Sequence, residues 1–289
     1  MQIPTSFDPL MPGEMASKAE DVGVAKARLG FFRMLALGVL AGAFIAMGAI
    51  FSTTAIAGAG ALPYGVVRVI AGLTFSLGLI LVVIAGAELF TGNNLIVMAW
   101  ASHKVTSMQL IRNWVIVYIG NFIGSILTAI MMYLGKQYTF AGGTLGLTAL
   151  NIASAKCSLG FVQAIVLGIF CNALVCLAVW LCMSARSDVD KIFLIIPPIS
   201  AFVAAGFEHS IANMYFIPVG LLIKFGANPD FWAAIGKTAV DFPNLTWGNF
   251  FLANLVPVTI GNIVGGALMV GLAYWFIYLR PSWTGQPQL

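Results

Sequence analysis

This sequence is short of charge. Only 8% of its 289 residues are Asp, Glu, Lys or Arg, while 60% are hydrophobic; a typical soluble domain carries about 25% charged residues. No soluble fold could hide that much apolar surface, so the expected solvent is lipid. The net charge of +4 is too small and too dispersed for nucleic-acid binding. Histidine is nearly missing: only His103 and His209 occur. A membrane subunit clamping haem would want two facing imidazoles, and His103 falls in an expected loop. Cysteine is scarce too. Cys157, Cys171, Cys176 and Cys182 lack C-x-x-C spacing, and three lie in one apolar run, so they read as small membrane residues. No cofactor or metal site is expected. Residues 1–30 hold no apolar core after a charged start, which excludes a cleavable signal peptide. They are polar, with Pro4, Pro9 and Pro12, and read as a cytoplasmic tail with a short amphipathic helix around Glu14–Arg28.

What the chain has in quantity is long apolar runs. A spanning helix needs about 20 such residues. Six candidates follow, at about 31–56, 65–101, 109–135, 159–184, 191–225 and 248–279. Residues 31–280 thus read as a six-span domain, with 281–289 as a short second tail. The second and fifth runs are too long for one span, and each is interrupted by polar and glycine residues: "GAELFTGNN" from Gly86 to Asn94 and "GFEHSIANM" from Gly206 to Met214. A helix broken at membrane depth must line a cavity or lie within protein. Orientation follows from the Lys and Arg distribution. An inside N-terminus puts Lys18, Lys26, Arg28, Arg33, Lys104, Arg112, Arg186, Lys191 and Arg280 in the cytoplasm, and Arg68, Lys136, Lys156, Lys224 and Lys237 outside. Both termini are therefore expected in the cytoplasm.

The interruptions resemble each other. Gly86-Ala-Glu88 and Gly206-Phe-Glu208 share a Gly-x-Glu start, and Asn93 and Asn213 each follow their Glu by five residues. "NWVIVYIGNFIG" from Asn113 aligns with "NLVPVTIGNIVG" from Asn254, and "LALGVLAG" more weakly with "IVLGIFCN". Two copies of a three-helix unit have an odd number of spans each, so the copies enter the membrane from opposite faces. The expected fold is all-α and aquaporin-like, with helices 2 and 5 broken around a midplane site. Half-helix N-termini there would offer unpaired N–H groups to an anion. Asn93 and Asn213 are candidate caps of the second halves. Glu88 and Glu208, as a symmetric pair, suit a structural role, because an unpaired charge at that depth costs about 2.5–3.5 kcal/mol.

His209 breaks the symmetry, since Leu89 is its counterpart; Thr91 does so too, facing Ile211 in the alignment. An imidazole and a hydroxyl therefore come from different repeats to one place. Asn172 and Asn262 are candidate partners for the ring, or alternatively glue between helices, and Glu208 with Asn262 is expected to tune and orient the ring in a proton relay. The apolar residues Phe75, Leu79, Leu89, Phe90, Val175 and Phe202 surround the breaks.

"GFEHSIANM", "GAELFTGNN", Lys156 before the fourth span and "NLVPVTIGNIVGG" resemble the formate/nitrite transporter family over nearly the whole chain. "FDPLMPGEMASKAEDVGVAKA" and "AYWFIYLR" resemble the formate channels in particular. The resemblance implies a pentamer in the cell inner membrane with one pore per protomer. It implies an outer constriction at Phe75 and Phe202, and one toward the cytoplasm at Leu79, Leu89, Phe90 and Val175. Thr91 and His209 would face a chamber between them, and Lys156 would supply positive field outside. The implied activity is passage of a small monovalent anion, formate above all, with His209 lending a proton or a hydrogen bond. Nitrite and hydrosulfide carriers share these motifs. A neutral-solute pore shares the inverted repeat but usually carries paired Asn-Pro-Ala loops, which this chain lacks. A purely structural scaffold would not explain the paired helix breaks.

Overall fold

The computed structural model describes residues 8–280, and no strand occurs among them. The tail at 281–289 lies outside the described residues. Helix α1 (Pro12–Ala27) comes first, followed by α2 (Phe31–Ile56) and α3 (Tyr64–Ile84). After a break, a 3-10 turn at Gly92–Ile96 leads into α4 (Val97–Ala101), and α5 (Ser107–Leu134) completes the first half. The second half runs α6 (Thr144–Cys157), α7 (Phe161–Ser184), α8 (Asp188–Ala205) and α9 (Ser210–Gly226). A short α10 (Pro229–Ile235) precedes the final 32-residue α11 (Trp247–Tyr278), which includes two π-helical stretches.

Among the described residues, five helices are long and apolar enough to cross a membrane alone, and α8 with α9 forms a sixth span bent by 53°. The expected spans thus appear within a few residues of their expected limits. Both expected interruptions appear as well, and they are built alike. Gly86 (φ 81°) and Gly206 (φ 78°) turn left-handed, a conformation costly for any residue with a Cβ. Ala87 N–H reaches back to Val82 O, and Phe207 N–H to Phe202 O, closing each helix end with the same five-residue bond.

Lipid tails are as apolar as leucine, so helices here associate through close packing and hydrogen bonds. A Cβ on Gly42 or Gly124 would run into the backbone of the opposing α5 or α2, and one on Gly261 or Gly265 into α7. Small residues therefore set two equivalent crossings, α2 on α5 and α7 on α11. Helix α1 is more than a tail element. Met15, Ala16, Ala19, Glu20, Gly23 and Ala27 are buried, and Lys104 pairs with the nearly inaccessible Glu20. Lys18 Nζ donates to Met183 O at 2.8 Å. Burial, then the like charges of Arg186 and Lys191, lower the Lys18 pKa below the ordinary lysine value.

Candidate functional site

At each break a carboxylate is held by the same four-residue set. Lys26 Nζ donates to Glu88 Oε1 at 2.7 Å and to Asn93 Oδ1 at 3.1 Å. Asn93 Nδ2 donates to Glu88 Oε2 (2.7 Å) and Asn113 Oδ1 (2.9 Å), and Asn113 Nδ2 returns to Lys26 O. In the other half, Lys156 Nζ donates to Glu208 Oε1 at 2.8 Å. Asn213 Nδ2 donates to Glu208 Oε2 (2.6 Å) and Asn254 Oδ1 (2.7 Å), and Asn254 Nδ2 returns to Lys156 O. A charge removed from water must be paired and bonded, and both acids are. Lys156 also sits 5.5 Å from the centre of the Phe216 ring.

Lys26 escaped the sequence reading as a site residue, although its signal was available. Ala25-Lys26-x-x-Leu29-Gly30-Phe31 recurs as Ala155-Lys156-x-x-Leu159-Gly160-Phe161. The repeat is therefore larger than three spans, with α1 equivalent to α6. Phe216 was missed for a different reason: an aromatic in an apolar helix carries no sequence signal of facing a cavity.

Three expected roles need correction. Asn93 and Asn213 do not cap helices: each gives its Nδ2 to a carboxylate cluster, Asn93 Oδ1 accepts from Lys26, and Asn213 Oδ1 accepts from no backbone N–H among the described residues. The cap of α9 is His209 itself, whose Nδ1 accepts from Ala212 N–H at 3.0 Å. Alternate amides at the breaks are also spent on protein acceptors rather than left for an anion. Glu88 and Glu208 N–H bond Leu37 O and Leu167 O, while Phe90 and Ser210 N–H bond Asn121 Oδ1 and Asn262 Oδ1 at 2.9 Å each. Asn262 and Asn172 hold backbone and do not bond the ring, and the Glu208 carboxylate, expected to orient it, bonds Lys156, Asn213 and Asn254 instead. Asn262 Nδ2 donates to Gly168 O and Glu208 O, as Asn121 does to Gly38 O and Glu88 O. Asn172 Nδ2 donates to Thr91 O, Asn94 Oδ1 and Asn262 O, tying the two halves together.

Thr91 and His209 do come together, with Oγ1 and Nε2 3.0 Å apart and both residues buried. Neutral imidazole has one N–H and one lone pair. The Ala212 amide claims the lone pair on Nδ1, so the proton lies on Nε2 and points at Thr91. A doubly protonated ring would set two N–H donors against each other and break the cap.

Two cavities flank this contact and share no lining residue. One, of about 540 Å³, lies beside α1 and is lined by Lys18, Lys26, Arg33, Lys191, Glu88, Gly86, Asn93, Leu79 and Leu89, among others. The other, of about 440 Å³, lies beside α6 and is lined by Arg68, Lys156, Glu208, His209, Gly206, Asn213, Phe75, Phe202 and Phe216, among others. Each holds more cations than carboxylates. Phe75 and Leu79, one turn apart on α3, face different cavities. Phe75 meets Phe202 edge-on at 5.7 Å, and Phe202 stacks over His209 at 5.9 Å. Against expectation, Phe90 and Val175 line neither cavity, and neither does Thr91, which meets His209 directly in place of the expected chamber. Phe90 and Val175 are buried, and Phe90 packs edge-on against Tyr118 and Trp114. His103, in the turn after α4, lies apart from the site, beside Glu20, Lys104 and Trp275.

Comparisons with known proteins agree with this architecture. Residues 13–276 match the family described as formate/nitrite transporter. The chain is 48% identical to the formate channel FocA of Escherichia coli (strain K12), with 98% of this chain and 99% of that one covered. It is 41% identical to the formate channel FocA of Haemophilus influenzae, covering 91% and 93%. A solved structure described as a pentameric formate channel with formate bound superimposes with a TM-score of 0.83 at 47% identity, covering 86% of this chain and 98% of that one. Two relatives followed almost end to end, and a shared arrangement of spans, leave one conclusion: the chain belongs to the formate/nitrite transporter family.

Proposed function

We propose that this chain is a membrane channel for formate, assembled as a pentamer in the cell inner membrane with both termini in the cytoplasm. The observation that carries the reading is the closed centre between two cation-rich cavities, where the buried Thr91 hydroxyl meets His209 Nε2 at 3.0 Å. The proposed path runs from one cavity, across the Thr91–His209 contact, to the other. On this orientation the α1-side cavity opens to the cytoplasm and the α6-side cavity to the outside.

Cations concentrate anions at either mouth. Fully hydrated formate cannot enter an apolar slit, because burying an unpaired ion costs many kcal/mol. It sheds most of its water between Phe75 and Phe202 on one side, or Leu79 and Leu89 on the other. In the centre it accepts hydrogen bonds from His209 Nε2–H and the Thr91 hydroxyl, which replace that water. His209 acts here as a hydrogen-bond donor. The alternative, in which it hands formate a proton, requires a proton on Nδ1, and the α9 cap opposes that. Lys156 with Glu208, and Lys26 with Glu88, hold the broken helices in place and shape the field at each mouth.

Uptake of labelled formate by proteoliposomes, with nitrite or hydrosulfide competing, tests the substrate. The expected result is formate uptake that neither competitor suppresses at equal concentration. Uptake of nitrite or hydrosulfide with exclusion of formate would reassign the channel within its family.

A further inference from the structure

On the channel reading above, we infer that Arg68 is a positioning residue of the α6-side cavity and the source of its uncompensated positive charge. Arg68 stands in the second turn of α3 and reaches across to the end of α8. Its Nε donates to Ala204 O at 3.2 Å, and its Nη2 donates to Val203 O. Both carbonyls belong to the last turn of α8, where intrahelical donors run out: Val203 O also accepts from Gly206 N–H at 3.1 Å, so Arg68 bonds the same carbonyl that closes the turn. The chain turns at Gly206 and delivers His209 three residues later, so the guanidinium is fastened to the turn that aims the imidazole. A Cβ at Gly206 would lie 3.6 Å from Nη2.

The charge argument is separate. Lys156 is matched by Glu208 within the same cavity. Arg68 has no carboxylate partner among the described residues, and its bonds go to neutral carbonyls. It therefore carries the excess charge of this cavity. The other half has no equivalent: counting from Gly86 and Gly206, position 68 corresponds to Asp188, which pairs with Lys191. Arg68 joins Thr91 and His209 as a place where the repeats differ at the pathway.

The test is formate flux at low concentration in oriented proteoliposomes, with impermeant salt added to one face only. Salt on the Arg68 face should lower wild-type flux about three-fold between 10 and 200 mM, since that range shortens screening from about 30 Å to under 10 Å. R68Q should flatten this response and leave the response to salt on the opposite face unchanged. R68K should keep the salt response but lower maximal flux, because one ammonium cannot reproduce the planar fork on two carbonyls. A wild-type salt response in R68Q, or its loss in R68K, would overturn the inference. If R68Q does not assemble, R68K decides alone: wild-type maximal flux would contradict the clamp. Absence of formate flux in the wild-type protein would instead refute the channel reading.

Discussion

His209 uses both ring nitrogens. Nδ1 caps α9 and Nε2 meets Thr91, so one side chain fixes a helix start and presents a donor to the path. The two tasks can be separated by substitution. H209F removes both, at a stability cost of about 1 kcal/mol for the lost cap. Formate flux should fall at least about ten-fold, the worth of a hydrogen bond to a charged group at about 1.5–3 kcal/mol. H209Q keeps an amide N–H at the reach of Nε2 and should retain part of the flux. Its pH profile should keep the wild-type shape, because the ring is not the titrating group. A profile that loses its midpoint with the imidazole would make His209 a proton donor. Sequence alone picked out His209 and Thr91, because asymmetry within a repeat is visible in letters. The ring's partners were not legible. Asn172 and Asn262 had the right chemistry, but which polar group an asparagine satisfies depends on helix crossings that no spacing rule encodes.

At the scale of elements, the breaks are the decisive feature. Gly206→Ala leaves room for the methyl, so its cost is that of a left-handed alanine, about 1–2 kcal/mol. Thermal unfolding in detergent should register that loss, with Gly86→Ala giving a similar drop. A much smaller loss would mean that the turn can relax, and that the break is not fixed by Gly206. The Lys-Glu-Asn-Asn clusters should behave as units. K26M leaves Glu88 buried without its cation and should cost roughly 3–5 kcal/mol. Adding E88Q to K26M should recover much of that cost, and a strictly additive double variant would show that the pair does not couple. Helix α1 was the least legible element. Its low apolar content made it read as a tail helix, and only the Ala-Lys-x-x-Leu-Gly-Phe repeat marked it as the partner of α6. The long spans were legible because lipid demands about 20 apolar residues of each.

Over the whole molecule, two similar halves thread oppositely and meet at one unlike pair. Each half closes its own carboxylate with its own lysine, so the symmetric residues build the frame. The unlike residues, Thr91, His209 and Arg68, stand along the route between the cavities. The sequence could place the halves and their breaks, since motifs repeat. It could not place the closed centre, because closure comes from rings and chains on α3, α8 and α9 that approach only after folding. The central claim is that this centre passes a small weak-acid anion and refuses a neutral solute of similar size. Swelling of proteoliposomes measured by light scattering in formate against glycerol tests it most directly. The account predicts rapid swelling in formate and, in glycerol, the rate of protein-free vesicles; equal protein-dependent swelling in both would contradict it.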